Sequence, residues 1–201
     1  MFQFPKEPKK IKRRINSYER KLRQEQMQHG TISDGYGKRY LIGPLYLVLG
    51  DLQGAVAAFE WFEETFPDDI GEPFHYLCWA LALYRSGNVS EATLKLRQAM
   101  VSNVYMIPHL LGIDQGDLDV WHGSNWEEKS YLQCAPDEIW SLWDEEALDW
   151  ARKAYASEEF RRVRTKYIRL SEELKTKPTG PGRHRLVSEL IRLRGWTENG
   201  R

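Results

Sequence analysis

The feature that most constrains this chain is a repeat spaced 37 residues apart in its middle third. Gly50-Asp51 is followed by Ala55, Phe59 and Phe62, and Gly87-Asn88 by Ala92, Leu96 and Ala99. Each glycine stands between two segments of helical period, where positive φ ends the first helix at no steric cost. Asp51 and Asn88 are turn residues suited to opening the second helix. A period of this length belongs to stacked helical hairpins, because one hairpin alone cannot bury its apolar face. The spacing predicts helix pairs over Arg39–Leu49 with Leu52–Thr65 and over Pro73–Ser86 with Ser90–Ser102.

The first copy reads Arg39-x-x-Ile42-Gly43-x-x-Tyr46, then Ala55-x-x-x-Phe59, then Pro67. The second places Tyr76, Trp79, Ala80 and Leu83 in its first helix and Ala92 and Leu96 in its second. This pattern resembles the tetratricopeptide repeat, with Arg39 where Trp is usual, Ile42 where Leu is usual and Val104 where the closing Pro would stand. The family period is ~34 residues, and the longer spacing here fits an extended link around Asp68–Pro73. The resemblance covers about a third of the chain. It implies an all-α helical-repeat core, a protein-interaction or scaffold function without catalysis, and another protein or peptide as partner. It also implies a concave groove lined by the first helix of each hairpin: Tyr40, Pro44, Leu47 and Val48, then Phe74, Leu77, Leu81, Tyr84 and Arg85. Repeats that clamp acidic tails use Asn and basic residues on this side; neither Tyr36–Leu49 nor Pro73–Gly87 contains Asn, and only Lys38, Arg39 and Arg85 are basic there, which makes that mode a poor fit. An apolar patch of this size is unusual on a monomer, so the expectation is that the chain fills its own groove. Two stripes are suited to filling it: Ile11, Ile15, Tyr18 and Leu22 near the N-terminus, and Phe160, Val163, Tyr167, Leu170 and Leu174 near the C-terminus.

Around the hairpins the reading is one all-helical domain over 1–201. A helix within 1–30 is ended by His29-Gly30, the hairpins occupy 36–104, an ordered loop region spans 105–135, and helices fill 136–195. Pro108 and Gly112 interrupt any third hairpin at Val104–Gly112. Pro136, Asp144 and Ser157 each mark a helix start. Pro178-Thr179-Gly180-Pro181-Gly182 reads as a break before a short helix at His184–Arg194, stopped by Gly195, with the last six residues frayed.

Charge is laid out in blocks. Residues 1–39 hold eleven Lys/Arg against four Asp/Glu, 40–149 hold four against nineteen, and 150–201 hold fourteen against six. Basic ends flanking an acidic middle suit attraction within the fold. The same layout supports an alternative reading, nucleic-acid binding through Arg161, Arg162, Arg164, Lys166 and Arg169. The N-terminus MFQFPKEPKK has no apolar h-region and the longest apolar run is Leu77–Tyr84, which points to a cytoplasmic chain with no membrane partner. Cys78 and Cys134 are too few for a disulfide framework or a four-ligand zinc site.

Chemical motifs are sparse. Asp114, Asp117, Asp119 and His122 carry donors for a divalent cation, yet they lack the glycine and closing glutamate of a calcium loop, and a solvated acidic loop is the plainer reading. No metal or cofactor is expected. Trp121-His122-Gly123-Ser124-Asn125-Trp126 is a dense aromatic and polar run, in which Trp121, His122, Asn125 and Trp126 form a second candidate binding surface. The simpler expectation is that both tryptophans anchor the loop on the helices. An enzyme with a site near His109, Asp114, His122 and Asn125 is a further alternative. Ser124 has no nucleophile elbow, and Asp34–Arg39 has no Gly-Lys-Ser/Thr ending for phosphate. The acidic pairs Glu63-Glu64, Asp68-Asp69 and Glu145-Glu146 diverge around a helix. His75 and Cys78, one turn apart, read as packing.

Overall fold

The computed structural model describes residues 3–194, and among these the chain is all-α with no strand. Helix α1 (Pro8–His29) has proline in its first turn and stops at Gly30, whose φ of 70° lets its N–H reach the Gln26 carbonyl. It buries Ile11, Ile15 and Leu22 and leaves its cations outside.

Two helix pairs follow, α2 (Arg39–Leu49) with α3 (Leu52–Thr65), and α4 (Pro73–Arg85) with α5 (Val89–Ser102). The junctions share one construction. Gly50 and Gly87 take φ of 82° and 87°. Asp51 then caps α3 by accepting from the Gly54 N–H, and Asn88 caps α5 by accepting from the Glu91 N–H. Such caps satisfy amide donors that the first helical turn leaves without partners.

Helix α4 is the centre of the molecule. Every residue from Pro73 to Leu83 is buried, which matches a sequence that is apolar on all sides. It packs most extensively on α5 and also on α2 and α3, while α1 lies along α2.

No third hairpin forms after α5. Helix α6 (Met106–Leu110) is a single turn, and two short 3-10 turns at Asn125–Glu127 and Lys129–Gln133 interrupt the long connection. The chain closes with α7 (Asp137–Ser141), α8 (Glu145–Ala156), α9 (Glu158–Thr176) and α10 (Pro181–Leu193). Asp144 and Ser157 cap α8 and α9 through the Ala147 and Phe160 amides. Helix α9 packs on α5, α8 and α10. The break before α10 is shorter than the sequence suggests. Pro181 and Gly182 belong to the helix, because proline at the first position needs no amide donor. The expected stop at Gly195 and the expected fraying of the last six residues lie outside the described residues. Among the described residues no helix is long and apolar enough to cross a membrane.

Candidate functional site

The groove is filled along most of its length, with Val48 and Tyr84 half-buried and Arg85 exposed at its margin. Tyr40, Leu47, Phe74, Leu77 and Leu81 are all buried, with Leu77 and Leu81 wholly so. Residues 126–150 supply part of the cover, while α9, which carries the Phe160–Leu174 stripe, packs on α5, α8 and α10. Trp126 meets the Tyr40 ring edge-on at 6.0 Å. The Tyr131 hydroxyl donates to Glu72 at 2.9 Å. Arg85 donates to the Leu142 carbonyl at 2.6 Å and to Asp144 at 2.8 Å. The Tyr84 ring stacks on Trp150 at 4.5 Å. Helix α1, which carries the other nominated stripe, packs on α2 with Ile11, Ile15 and Leu22 buried, and Glu19 accepts from the Tyr46 hydroxyl at 2.9 Å.

Asn103 fixes the cover, and sequence reasoning missed it. This buried side chain donates to the Trp126 and Glu128 carbonyls at 2.7 and 3.0 Å. Burial pushes the Glu72 carboxyl up to about 7, with the Tyr131 hydrogen bond opposing. Trp121 and Trp126 are half-buried against the core, as is His122, and Asn125 is exposed.

The proposed chemical clusters do not assemble. Asp117 pairs with Lys129 and Asp119 with Lys175, while Asp114 is exposed. His109 lies against Trp140. Among the described residues no group of three or more His, Cys, Asp or Glu side chains is placed to hold a metal ion. His75 and Cys78 are fully buried. His75 donates from Nδ1 to the Tyr40 carbonyl at 3.0 Å, and burial holds its pKa down at about 4. Burial drives the Cys78 thiol well above its ordinary range. On α9, Lys166 pairs with Glu189 and Arg164 lies over Tyr155, while Arg161, Arg162 and Arg169 face solvent. Arg39, at the position where the repeat pattern usually has Trp, binds Asp69 at 2.7 Å and Asp34 at 3.3 Å and so ties α2 to the link before α4.

With the groove closed, an apolar notch of about 240 Å³ remains between α1, α2 and α3. Ile42 and Tyr46 of α2 meet Gly54, Ala57, Ala58 and Trp61 of α3, and Glu19 and Arg23 of α1 stand at its edge. Gly54 brings α3 close, since a Cβ there would stand 2.6 Å from the Tyr46 ring. Burial and the Glu19 hydrogen bond push the Tyr46 phenol up to about 12, so it stays protonated and keeps donating. Trp61 is held edge-on against Phe66 at 5.6 Å. The notch had a signal in the sequence. In Gly54-Ala55-Val56-Ala57-Ala58 only Ala55 is fully buried, and the small side chains at 54, 57 and 58 leave room on the outer side.

Comparison with protein-family models, with curated proteins and with solved structures finds no match for this chain.

Proposed function

We propose that this chain is a non-catalytic protein-interaction module of tetratricopeptide type that binds its partner at the notch rather than in the groove. The observation that carries the reading is the contrast in cover: the groove is core, and the notch is apolar and open. Its volume suits one bulky side chain, not a helix. The flanks narrow the choice of partner. Arg20 and Arg23 are exposed on the α1 side, and Glu60 and Glu64 on the α3 side. The fitting partner is a peptide segment with one aromatic or branched apolar anchor, acidic on one side of it and basic on the other. A buried anchor in a small pocket carries most of the affinity in such contacts.

Selection of displayed random peptides against the full chain tests this. Enriched peptides carry a Trp, Phe or Leu anchor with flanking charges. Ala58→Trp, which fills the notch from a half-exposed position, weakens them by about 30-fold, the size of one anchor contact. Peptides that bind Ala58→Trp as well as the parent, or no enrichment, would overturn the reading.

A further inference from the structure

A second cleft, of about 490 Å³, lies between α3, α4, α5 and the end of α10, where Ile191 and Arg194 complete its wall, and it contains a lysine placed unlike the others. Lys95 is 3% exposed. Its Nζ sits 3.5 Å from the centre of the Trp79 ring and 2.6 Å from a Glu63 oxygen. Phe62 and Phe66 form further walls, and Gln98 lines the same cleft. The Gln98 Oε1 is buried with no hydrogen-bond partner among the described residues. A buried acceptor without a partner is costly in a folded protein unless something supplies a donor.

We infer that Lys95 is a covalent capture site for a small hydroxylated aromatic aldehyde, held as an imine in this cleft. The flat apolar walls suit an aromatic ring, and Gln98 offers the acceptor for its hydroxyl. The chemistry needs only the pair already present. Glu63 takes a proton from the Lys95 ammonium, and the free amine adds its electron pair to the aldehyde carbon. The carbonyl electrons move to oxygen, which takes the proton released by nitrogen. Glu63 returns its proton to that hydroxyl as the C–O bond breaks. Water leaves, and the protonated imine stands opposite the Glu63 carboxylate. Nothing is oxidised or reduced. Burial lowers the Lys95 pKa and Glu63 opposes that shift, so on balance the ammonium gives up its proton more readily than that of an exposed lysine.

The test is trapping on the full chain with 4-hydroxybenzaldehyde and cyanoborohydride at pH 7, with modified lysines located by peptide mass mapping. A purely structural Lys95 would be among the slowest lysines to react, because it is buried while Lys9, Lys12 and Lys21 are exposed. The expected result is the reverse: Lys95 reacts first and saturates at one label per chain. Lys95→Arg keeps a cation over Trp79 and beside Glu63 and cannot form the imine, so it abolishes the saturable label in a folded chain. Glu63→Gln moves the pH at half-maximal trapping downward, because the carboxylate no longer favours the ammonium. Lys95 reacting more slowly than the exposed lysines, a saturable label surviving in folded Lys95→Arg, or an unmoved pH profile in Glu63→Gln would each overturn the assignment.

Discussion

The two hairpins follow the same sequence pattern and do different work. Shifted by 37 residues, Gly43 corresponds to Ala80, Phe59 to Leu96, Ala58 to Lys95 and Ile42 to Trp79. In the first hairpin Gly43 faces Phe59; the corresponding positions of the second hold Ala80 and Leu96, both buried. The summed volume is similar and is divided less unevenly in the second pair, which is how cores keep density while changing shape. The outer niches differ more. The niche beside Ala58 is an apolar notch edged by α1, and the niche beside Lys95 is a polar-bottomed cleft edged by α3. The pattern thus fixes the backbone of a hairpin, while the preceding helix and one residue of the second helix decide what its outer face can hold.

The first test attacks the matched division of volume. Phe59 is fully buried, stacks on Trp79 at 5.4 Å and meets His75 at 5.0 Å, so it joins the hairpins. Phe59→Ala is expected to cost ~3–5 kcal/mol by urea denaturation, and Leu96→Ala ~2–5 kcal/mol. A Cβ on Gly43 would stand 2.5 Å from the Phe59 ring, so Gly43→Ala costs roughly 1–3 kcal/mol. Gly43→Ala with Phe59→Leu recreates the pairing of the second hairpin. It is expected to cost less than the sum of the single changes, by more than ~0.5 kcal/mol, the margin that marks coupled neighbours. Simple additivity would break the correspondence between the hairpins.

The second test sharpens what is special about α4 and its N-cap, which carry two buried titratable groups of opposite sign. The folded Glu72 carboxyl titrates at about 7, above its ordinary unfolded value. Its contribution to stability is therefore full below ~4.3 and is lost as pH rises to about 7. The folded His75 titrates at about 4, below its ordinary unfolded value. Its contribution is full above ~6.5 and is lost as pH falls toward 4. The two windows overlap between ~4.3 and ~6.5 with opposite slopes, so these groups together leave stability nearly flat there, and the Glu72 loss stands alone only as pH rises from ~6.5 to about 7. Glu72→Gln keeps an acceptor for Tyr131, removes the alkaline limb and gains on the order of 2 kcal/mol at pH 8. An alkaline limb unchanged in Glu72→Gln would remove the carboxyl from the account.

The hairpin boundaries were legible because glycine, cap and apolar period all agreed: α2 and α3 have the expected ends, and α4 and α5 differ by one residue each. Self-occlusion was legible from the size of the apolar groove. Its agent was not, because Trp126, Tyr131 and Trp150 lie in or after a segment without period, and their contacts with Tyr40, Glu72 and Tyr84 depend on the path of the loop. The cleft at Lys95 was illegible for a related reason. A lysine on an amphipathic helix reads as solvent-facing until the packing of α3 and α4 puts Trp79 beneath it and Glu63 beside it.

The smallest expected effect separates the two hairpins at their turns. Asp51 and Asn88 hold the same cap position, yet Asp51 Oδ1 is 2.9 Å from its amide and Asn88 Oδ1 is 3.4 Å from its own. Asp51 also brings a negative charge to the helix N-terminus, where the dipole favours it, while Asn88 is neutral. Asn88 is held in part by a side-chain bond to Glu91, the residue whose amide it caps, at 2.7 Å. Losing a cap costs ~1 kcal/mol in general. Asp51→Ala is therefore expected to cost about 1 kcal/mol or slightly more, and Asn88→Ala roughly half that. Added salt narrows the gap, because only the Asp51 contribution contains a screened charge. A larger loss at Asn88 than at Asp51, or a gap that does not respond to salt, would mean that the two turns differ by tertiary contact rather than by their caps.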